Sequence, residues 1–199
     1  MYRLIETLKS IDGIIQNFAY HQARANSSSA KLNHINFKLN LIDIILPDEY
    51  KSGIVKIRVT YSDFIESIQF EHYKLRQINS FRFVYDDEID YSHKYSDRNK
   101  LDFLYSQRLE CDDIIIVKNG KLTDSYYANL VFLKDNKYFT PDRPLLNGTK
   151  RQKLIEMGII HPVNINISNY QDFDSVTIIN SVIELFDVEP VRISKIQDK

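Results

Sequence analysis

Tyr91-Ser92-His93-Lys94-Tyr95-Ser96-Asp97-Arg98 stands near the middle of the 199-residue chain, with Lys94 at its centre. An acidic loop, Tyr85-Asp86-Asp87-Glu88-Ile89-Asp90, precedes it, and a helical pattern follows. A lysine at such a boundary is ordinarily a solvated charge. Lys94 gains interest from three stretches further along. A hairpin-like region reads Thr123-Asp124-Ser125-Tyr126-Tyr127-Ala128-Asn129-Leu130, a turn into a helix reads Leu146-Asn147-Gly148-Thr149-Lys150-Arg151-Gln152, and a late strand ends Thr177-Ile178-Ile179-Asn180-Ser181. Together they offer an amine, an acid and two small polar turns suited to an anion.

After Lys94, Leu101, Leu104, Tyr105, Arg108 and Leu109 recur at helical spacing, which predicts a helix over about Asp97 to Glu110. Ile114-Ile115-Ile116-Val117 reads as a buried strand, and Asn119-Gly120 as a hairpin turn. Leu130 to Leu133 and Lys137 to Phe139 form a second hairpin around Asp135-Asn136. Thr149 to Met157 is a helix stopped by Gly158. Val163 to Ile167, Ser175 to Asn180 and Pro190 to Ile193 read as short strands.

Before Lys94, Arg3 to Ile11 alternates as a strand, and Asp12-Gly13 turns it into Ile14 to Phe18. His21 to Asn26 is helix-compatible through Leu32. His21 and Arg24 therefore share a helix face. Asn33 to Leu46 is ambiguous between helix and strand. Gly53 to Tyr61 alternates strictly and predicts a strand that sets Arg58 on the face of Lys56 and Thr60. Ile68 to Leu75 and Phe81 to Tyr85 are further strands. The like-charge run Asp86 to Asp90 is the expected linker, dividing the chain into residues 1–88 and 89–199.

The charge is nearly balanced, 26 Lys and Arg against 27 Asp and Glu, and no basic stripe interleaves with the aromatics, so no nucleic-acid partner is expected. Cys111 is the single cysteine, which leaves neither a disulfide framework nor a cysteine metal cluster; no metal site is expected. The first residues, Met1 to Glu6, do not form a signal peptide, and no apolar run reaches membrane-spanning length. A cytoplasmic location without a membrane partner is the expectation.

A lysine held neutral in a partly apolar pocket can form a Schiff base with a carbonyl cofactor. An acid at a pyridine nitrogen keeps the ring ready to accept electrons, and a helix N-terminus with an Arg or hydroxyls binds a phosphate. Lys94, Asp124, the Gly148 turn, Ser181 and Arg24 are the parts a pyridoxal 5'-phosphate site needs, although Asp124 alone reads equally as a solvated turn residue and Gly148 as an ordinary loop residue.

In this order the motifs resemble the class IV aminotransferase family, the fold-type IV pyridoxal phosphate enzymes, and within it the aminodeoxychorismate lyases. Glu6-Thr7-Leu8 with Asp12-Gly13 resembles the family's opening strand and turn. His21-Gln22-Ala23-Arg24 is similar to the His-x-x-Arg segment whose Arg binds the cofactor phosphate. Lys94 with Asp97-Arg98 is similar to Lys-x-x-Asn-Arg, whose Lys is the Schiff-base residue. Thr123-Asp124 stands where the family has Thr-Glu or Ser-Glu, and Ala128-Asn129-Leu130 matches the Asn-Leu that follows. Asn147 to Gln152 resembles the Gly-Ile-x-Arg-Gln phosphate turn, and Ile179-Asn180-Ser181 the lyases' Cys-Asn-Ala, where aminotransferases more often show Thr-Gly-Thr. Pro190-Val191 matches the closing pair. The chain departs from the pattern in its shorter acid Asp124, in Lys150, in Asp97 and in its length.

The resemblance implies an α+β fold like that of D-amino acid aminotransferase, with two subdomains, the cofactor between them, and a homodimer. Lys94 is then the catalytic residue. Arg24, Asp124, Asn129, Gly148, Thr149, Lys150, Asn180 and Ser181 join it in holding the cofactor, and Arg58 and Arg98 are the candidates for a substrate carboxylate. The implied reaction converts 4-amino-4-deoxychorismate to p-aminobenzoate and pyruvate, a step of folate synthesis. The alternatives are an aminotransferase for branched-chain or D-amino acids and a degenerate, non-catalytic member.

Overall fold

The computed structural model describes residues 1–33, 40 and 44–198. The ambiguous stretch from Asn33 to Leu46 lies largely outside them. The described chain forms two compact units. The first comprises Met1–Lys74 and His93–Asp97, and the second Leu75–Ser92 and Arg98–Lys199.

In the first unit, β1 (Leu4–Ile11), β2 (Ile14–Ile15), β3 (Ile54–Tyr61) and β4 (Ile65–His72) form an antiparallel sheet in the order β2-β1-β3-β4. Asp12 and Gly13 both take positive φ, as a two-residue turn between twisted strands requires. Pairing of Glu6 with Val59 and of Leu8 with Ile57 puts Leu4, Glu6, Leu8, Val55, Ile57, Val59 and Tyr61 on one face. The apolar members of this set form the core, against which Phe18 and Leu32 of helix α1 (Phe18–Asn33) pack. Because β2 covers only the end of β1, the rest of that edge is open to other partners. Residues 94–96 return to it: Ile5 N–H donates to Lys94 O at 2.9 Å, Ser96 N–H donates to Arg3 O at 2.9 Å, and Leu4 bridges Tyr95.

The second unit is built on a nine-stranded sheet. β5 (Phe81–Tyr85), β6 (Asp113–Lys118), β7 (Lys121–Ser125), β8 (Asn129–Lys134), β9 (Lys137–Pro141) and β10 (Ile160–Val163) run side by side. β11 (Ser175–Ile179) pairs with β8 and with β12 (Val191–Arg192), and β13 (Ile196–Gln197) pairs with β5. Ile114 to Val117 is wholly buried, the run of apolar residues expected of a strand covered on both faces. Helices α2 (Asn99–Ser106) and α3 (Thr149–Glu156) complete this unit.

Three expectations are corrected. The run Asp86 to Asp90 is not where the units part, because it belongs to the second unit and is tied there by ordinary contacts. Asp86 N–H donates to Val117 O, Asn119 N–H donates to Asp87 Oδ1, and Ile89 is buried. Lys94 consequently falls in the first unit rather than in a unit spanning residues 89–199. The strand placed at Val163 to Ile167 is instead Ile160–Val163, paired parallel to β9; of the remainder only Asn166 bridges, to Lys121.

Candidate active site

The first unit sets a buried carboxylate beneath α1. Glu6, on the core face of β1, has no exposed surface. Arg24 donates to it through Nε at 2.8 Å and Nη2 at 2.5 Å, and His21 Nδ1 lies 2.6 Å from its Oε2. The helical spacing that puts His21 and Arg24 on one face aims both at the same acid. Burial alone would raise the Glu6 pKa; the Arg24 charge and the hydrogen bonds from His21 and Arg24 outweigh it and hold the carboxyl at about 2. Burial depresses His21, and the charges of Arg24 and Lys94 add to that effect against the opposing pull of Glu6. With Glu6 ionised, the His21 Nδ1 must carry the hydrogen it shares with that acid. Lys94, half-buried on the β1 edge, thus lies within electrostatic reach of this cluster. Arg58 does not join it. Thr7 pairs with Arg58 and Glu6 with Val59, so Arg58 stands on the opposite face of the sheet.

In the second unit, β7 and β8 meet at one pair, Asp124 opposite Asn129, and β11 places Ile179 on the other side of Asn129. Three adjacent strands therefore bring Asp124, Asn129 and the start of the Asn180 turn into a row. Asn129 Nδ2 donates to Asp124 Oδ1 and to Leu146 O, both at 2.8 Å, and Leu146 N–H donates to Asp124 Oδ2 at 2.8 Å. Burial pushes Asp124 up to about 6, an effect that the Leu146 and Asn129 donors only partly offset. Gly148 caps α3, where a Cβ would meet Asn129 Oδ1 at 2.0 Å. Only glycine lets the polar knot and the helix N-terminus approach this closely.

Thr149 and Lys150, both buried, begin α3. Lys150 Nζ donates to Glu184 Oε2 at 2.5 Å, which ties the helix to the loop after β11. In that loop Asn180 Oδ1 accepts from the N–H groups of Val182 and Ile183, with Ser181 half-buried between them. Arg98 is engaged within the second unit: it lies over the rings of Tyr91 and Tyr126, at 5.7 and 4.7 Å, and donates to Tyr126 O at 2.8 Å.

Glu6, Glu184 and Arg151 were not singled out from sequence, yet each fixes a predicted residue or its turn. Arg151 is buried and donates to Asn147 Oδ1, Thr140 Oγ1 and Pro141 O, which locks the turn before Gly148. The signal for Glu6 was present: a charged residue between Leu4 and Leu8 on one face of a strand, with His21 and Arg24 on one face of the next helix.

These residues fit pyridoxal phosphate. Asp124 is a desolvated carboxylate kept above its ordinary range by burial, and a protonated ring nitrogen would relieve that cost. Arg24 is held at two nitrogens by Glu6, which fixes the plane of its guanidinium fork for a phosphate.

Residues 90–191 match the model of the amino-transferase class IV family. An uncharacterized protein of Haemophilus influenzae is 39% identical over 185 residues, 92% of this chain and 98% of its own. The chain belongs to the class IV aminotransferase family, whose enzymes depend on pyridoxal phosphate. Among solved structures, a proposed 4-amino-4-deoxychorismate lyase of Haemophilus somnus is 31% identical, with a TM-score of 0.80 over 93% of this chain and 98% of that one. A hypothetical aminotransferase of Mycobacterium tuberculosis in its pyridoxal phosphate-bound form has a TM-score of 0.70 at 17% identity, over 98% of this chain and 81% of that one. The architecture is that of fold-type IV.

Proposed function

We propose that the protein is a lyase that cleaves 4-amino-4-deoxychorismate to p-aminobenzoate and pyruvate. The observation that carries this reading is the turn after β11, where Asn180 Oδ1 holds the Val182 and Ile183 N–H groups and Ser181 follows, in the place where aminotransferases more often have Gly-Thr. The likeness to the Haemophilus somnus protein over nearly the whole chain supports it.

Bound pyridoxal phosphate supplies an aldehyde that takes up the substrate amine and a ring that draws electrons from the adjoining carbon. Lys94 Nζ would be the amine that holds that aldehyde. The Lys94 amine would serve as base and then as acid for the proton at the substrate carbon. Asp124 would hold the ring nitrogen's N–H, while Asn129 Nδ2 and Leu146 N–H donate to its two oxygens. Arg24, whose guanidinium is set by Glu6, would offer its planar fork to a phosphate, and the Gly148–Lys150 turn would offer a helix N-terminus. The atoms of the substrate divide between the two products with nothing added, so no second substrate is required.

The test is turnover of 4-amino-4-deoxychorismate with no keto acid present, read as p-aminobenzoate and pyruvate released in equal amounts. Sustained turnover is expected. If an amino acid alone bleaches the visible band of the cofactor and 2-oxoglutarate restores it at catalytic rates, the protein is an aminotransferase. If neither substrate changes that band, it is a non-catalytic member.

A further inference from the structure

The hairpin of β6 and β7 carries a feature that the site above does not use. Lys118 and Lys121 stand directly opposite one another across its ladder. Paired side chains in this position project from the same face, and like charges so placed repel. They line a cleft of about 300 Å³ together with Thr123, the segment Ile89–Ser92 and Asn119. Arg143–Leu145 also line it, and Arg143 adds a third cation.

The neighbouring groups leave this charge largely uncompensated. Lys118 Nζ donates to the carbonyl of Ile89 at 2.5 Å, which holds the ammonium without neutralising it. Among the described residues, neither Lys121 nor Arg143 has a carboxylate partner. Asp90 is the one acid on the lining, and its Oδ1 accepts from Ser92 N–H. The Thr123 hydroxyl is spent on Ile116 O at 2.8 Å. Ser92 and Asn119 add polar lining, and Ile89, Tyr91, Pro144 and Leu145 supply its apolar and aromatic part. Thr123 and Asp124 are successive strand residues and point to opposite faces of β7. The cleft is therefore separate from the Asp124 carboxylate.

We propose that this cleft binds a small carboxylate borne on a ring, with the carboxylate answering Lys121 and Arg143 and the ring lying on Tyr91, Pro144 and Leu145. An anion removes the cross-strand repulsion, and Arg143 offers a planar fork that matches a carboxylate. Three cations in one concavity favour an anion of any kind. The apolar walls select one with a flat hydrophobic body over inorganic phosphate.

Benzoate is the probe, titrated calorimetrically into the full chain saturated with pyridoxal phosphate so that the cofactor's own phosphate cannot compete. One benzoate per chain is expected, weakened by added salt, with no binding of uncharged benzamide. Arg143→Met, at an exposed position, and Lys121→Met, which keeps the length of the stem, should each weaken binding roughly tenfold. Lys94→Ala and Arg24→Ala should leave it unchanged. Absence of benzoate binding, undiminished binding in Arg143→Met and Lys121→Met, or binding lost in Lys94→Ala overturns the proposal. Its outcome does not depend on whether the protein turns over 4-amino-4-deoxychorismate.

Discussion

Gly148 and Asn129 are in a contact that admits no side chain at the glycine, because a methyl group there would come within 2.0 Å of Asn129 Oδ1. The same Asn129 donates to Asp124 and to the Leu146 carbonyl. One small residue therefore sets how closely the start of α3 sits to the acid.

Gly148→Ala should force Asn129 out of place and strip Asp124 of one donor. A loss of about 1–3 kcal/mol is expected from overpacking, read by urea unfolding. Gly148→Ala combined with Asn129→Ala should cost less than the sum of the two single changes, because the second removes the clash made by the first. Strict additivity would mean that the two residues act separately.

Glu6→Gln should lower stability by about 3–5 kcal/mol, the usual result of removing one partner of a buried ion pair. Cofactor affinity should fall with it, since Arg24 loses the acid that orients it. Arg24→Lys keeps the charge but loses the two-toothed contact, so it should weaken cofactor binding more than it weakens the fold. Equilibrium dialysis with pyridoxal phosphate beside thermal melts separates the two effects.

Stability of the cofactor-free protein should fall as pH rises from about 3.8 to about 6. Asp124 and Asp113 are both raised by burial to about 6, from 3.8. Between those values the folded chain holds protons that the unfolded chain has lost, so raising the pH favours unfolding. Each carboxyl contributes about 3 kcal/mol to the fall, from a shift of about two units. Glu6 acts in the other direction: its folded value of about 2 lies below the ordinary 4.5, so its contribution is present above 4.5 and is lost as pH falls toward 2. Asp124→Asn should flatten the decline between pH 4 and 6. An unchanged slope in urea titrations across that range would place the proton uptake elsewhere.

Lys94→Ala should abolish turnover, because the variant has no side-chain amine to hold the cofactor. Borohydride treatment should fix the cofactor to Lys94 in the native chain and to no residue in the variant, as read by peptide mass spectrometry. An adduct on another lysine would remove Lys94 from its role.

Elements whose signal is local were legible in the sequence. Asp12-Gly13, Asn119-Gly120 and Asp135-Asn136 each turn a hairpin, and all six residues take positive φ. Ile54–Tyr61 and Ile114–Val117 follow from alternation and from a continuous apolar run. Elements defined by distant partners were not legible. The acidic run at Asp86 looked like a linker because the groups that hold it, Val117, Lys118 and Asn119, lie some thirty residues away. Among the candidate site residues, Lys94, Arg24, Asp124 and Gly148 are those that motif order proposes. What keeps them in position is harder to read: Glu6 shows only as a charge on the buried face of β1, and the link from Lys150 to Glu184 spans 34 positions. Arg98 shows the same limit in reverse, since the two rings that enclose it are known only from the fold.

The return of residues 94–96 to the edge of β1 also bears on how the chain is made. On a ribosome the first unit cannot be finished when Lys74 emerges. Its missing edge piece follows only after Leu75–Ser92, a segment destined for the other unit. Until then part of β1 shows unpaired backbone groups, the kind of edge that recruits foreign strands. A nascent chain arrested before residue 93 should therefore be more prone to aggregate than one arrested after residue 97.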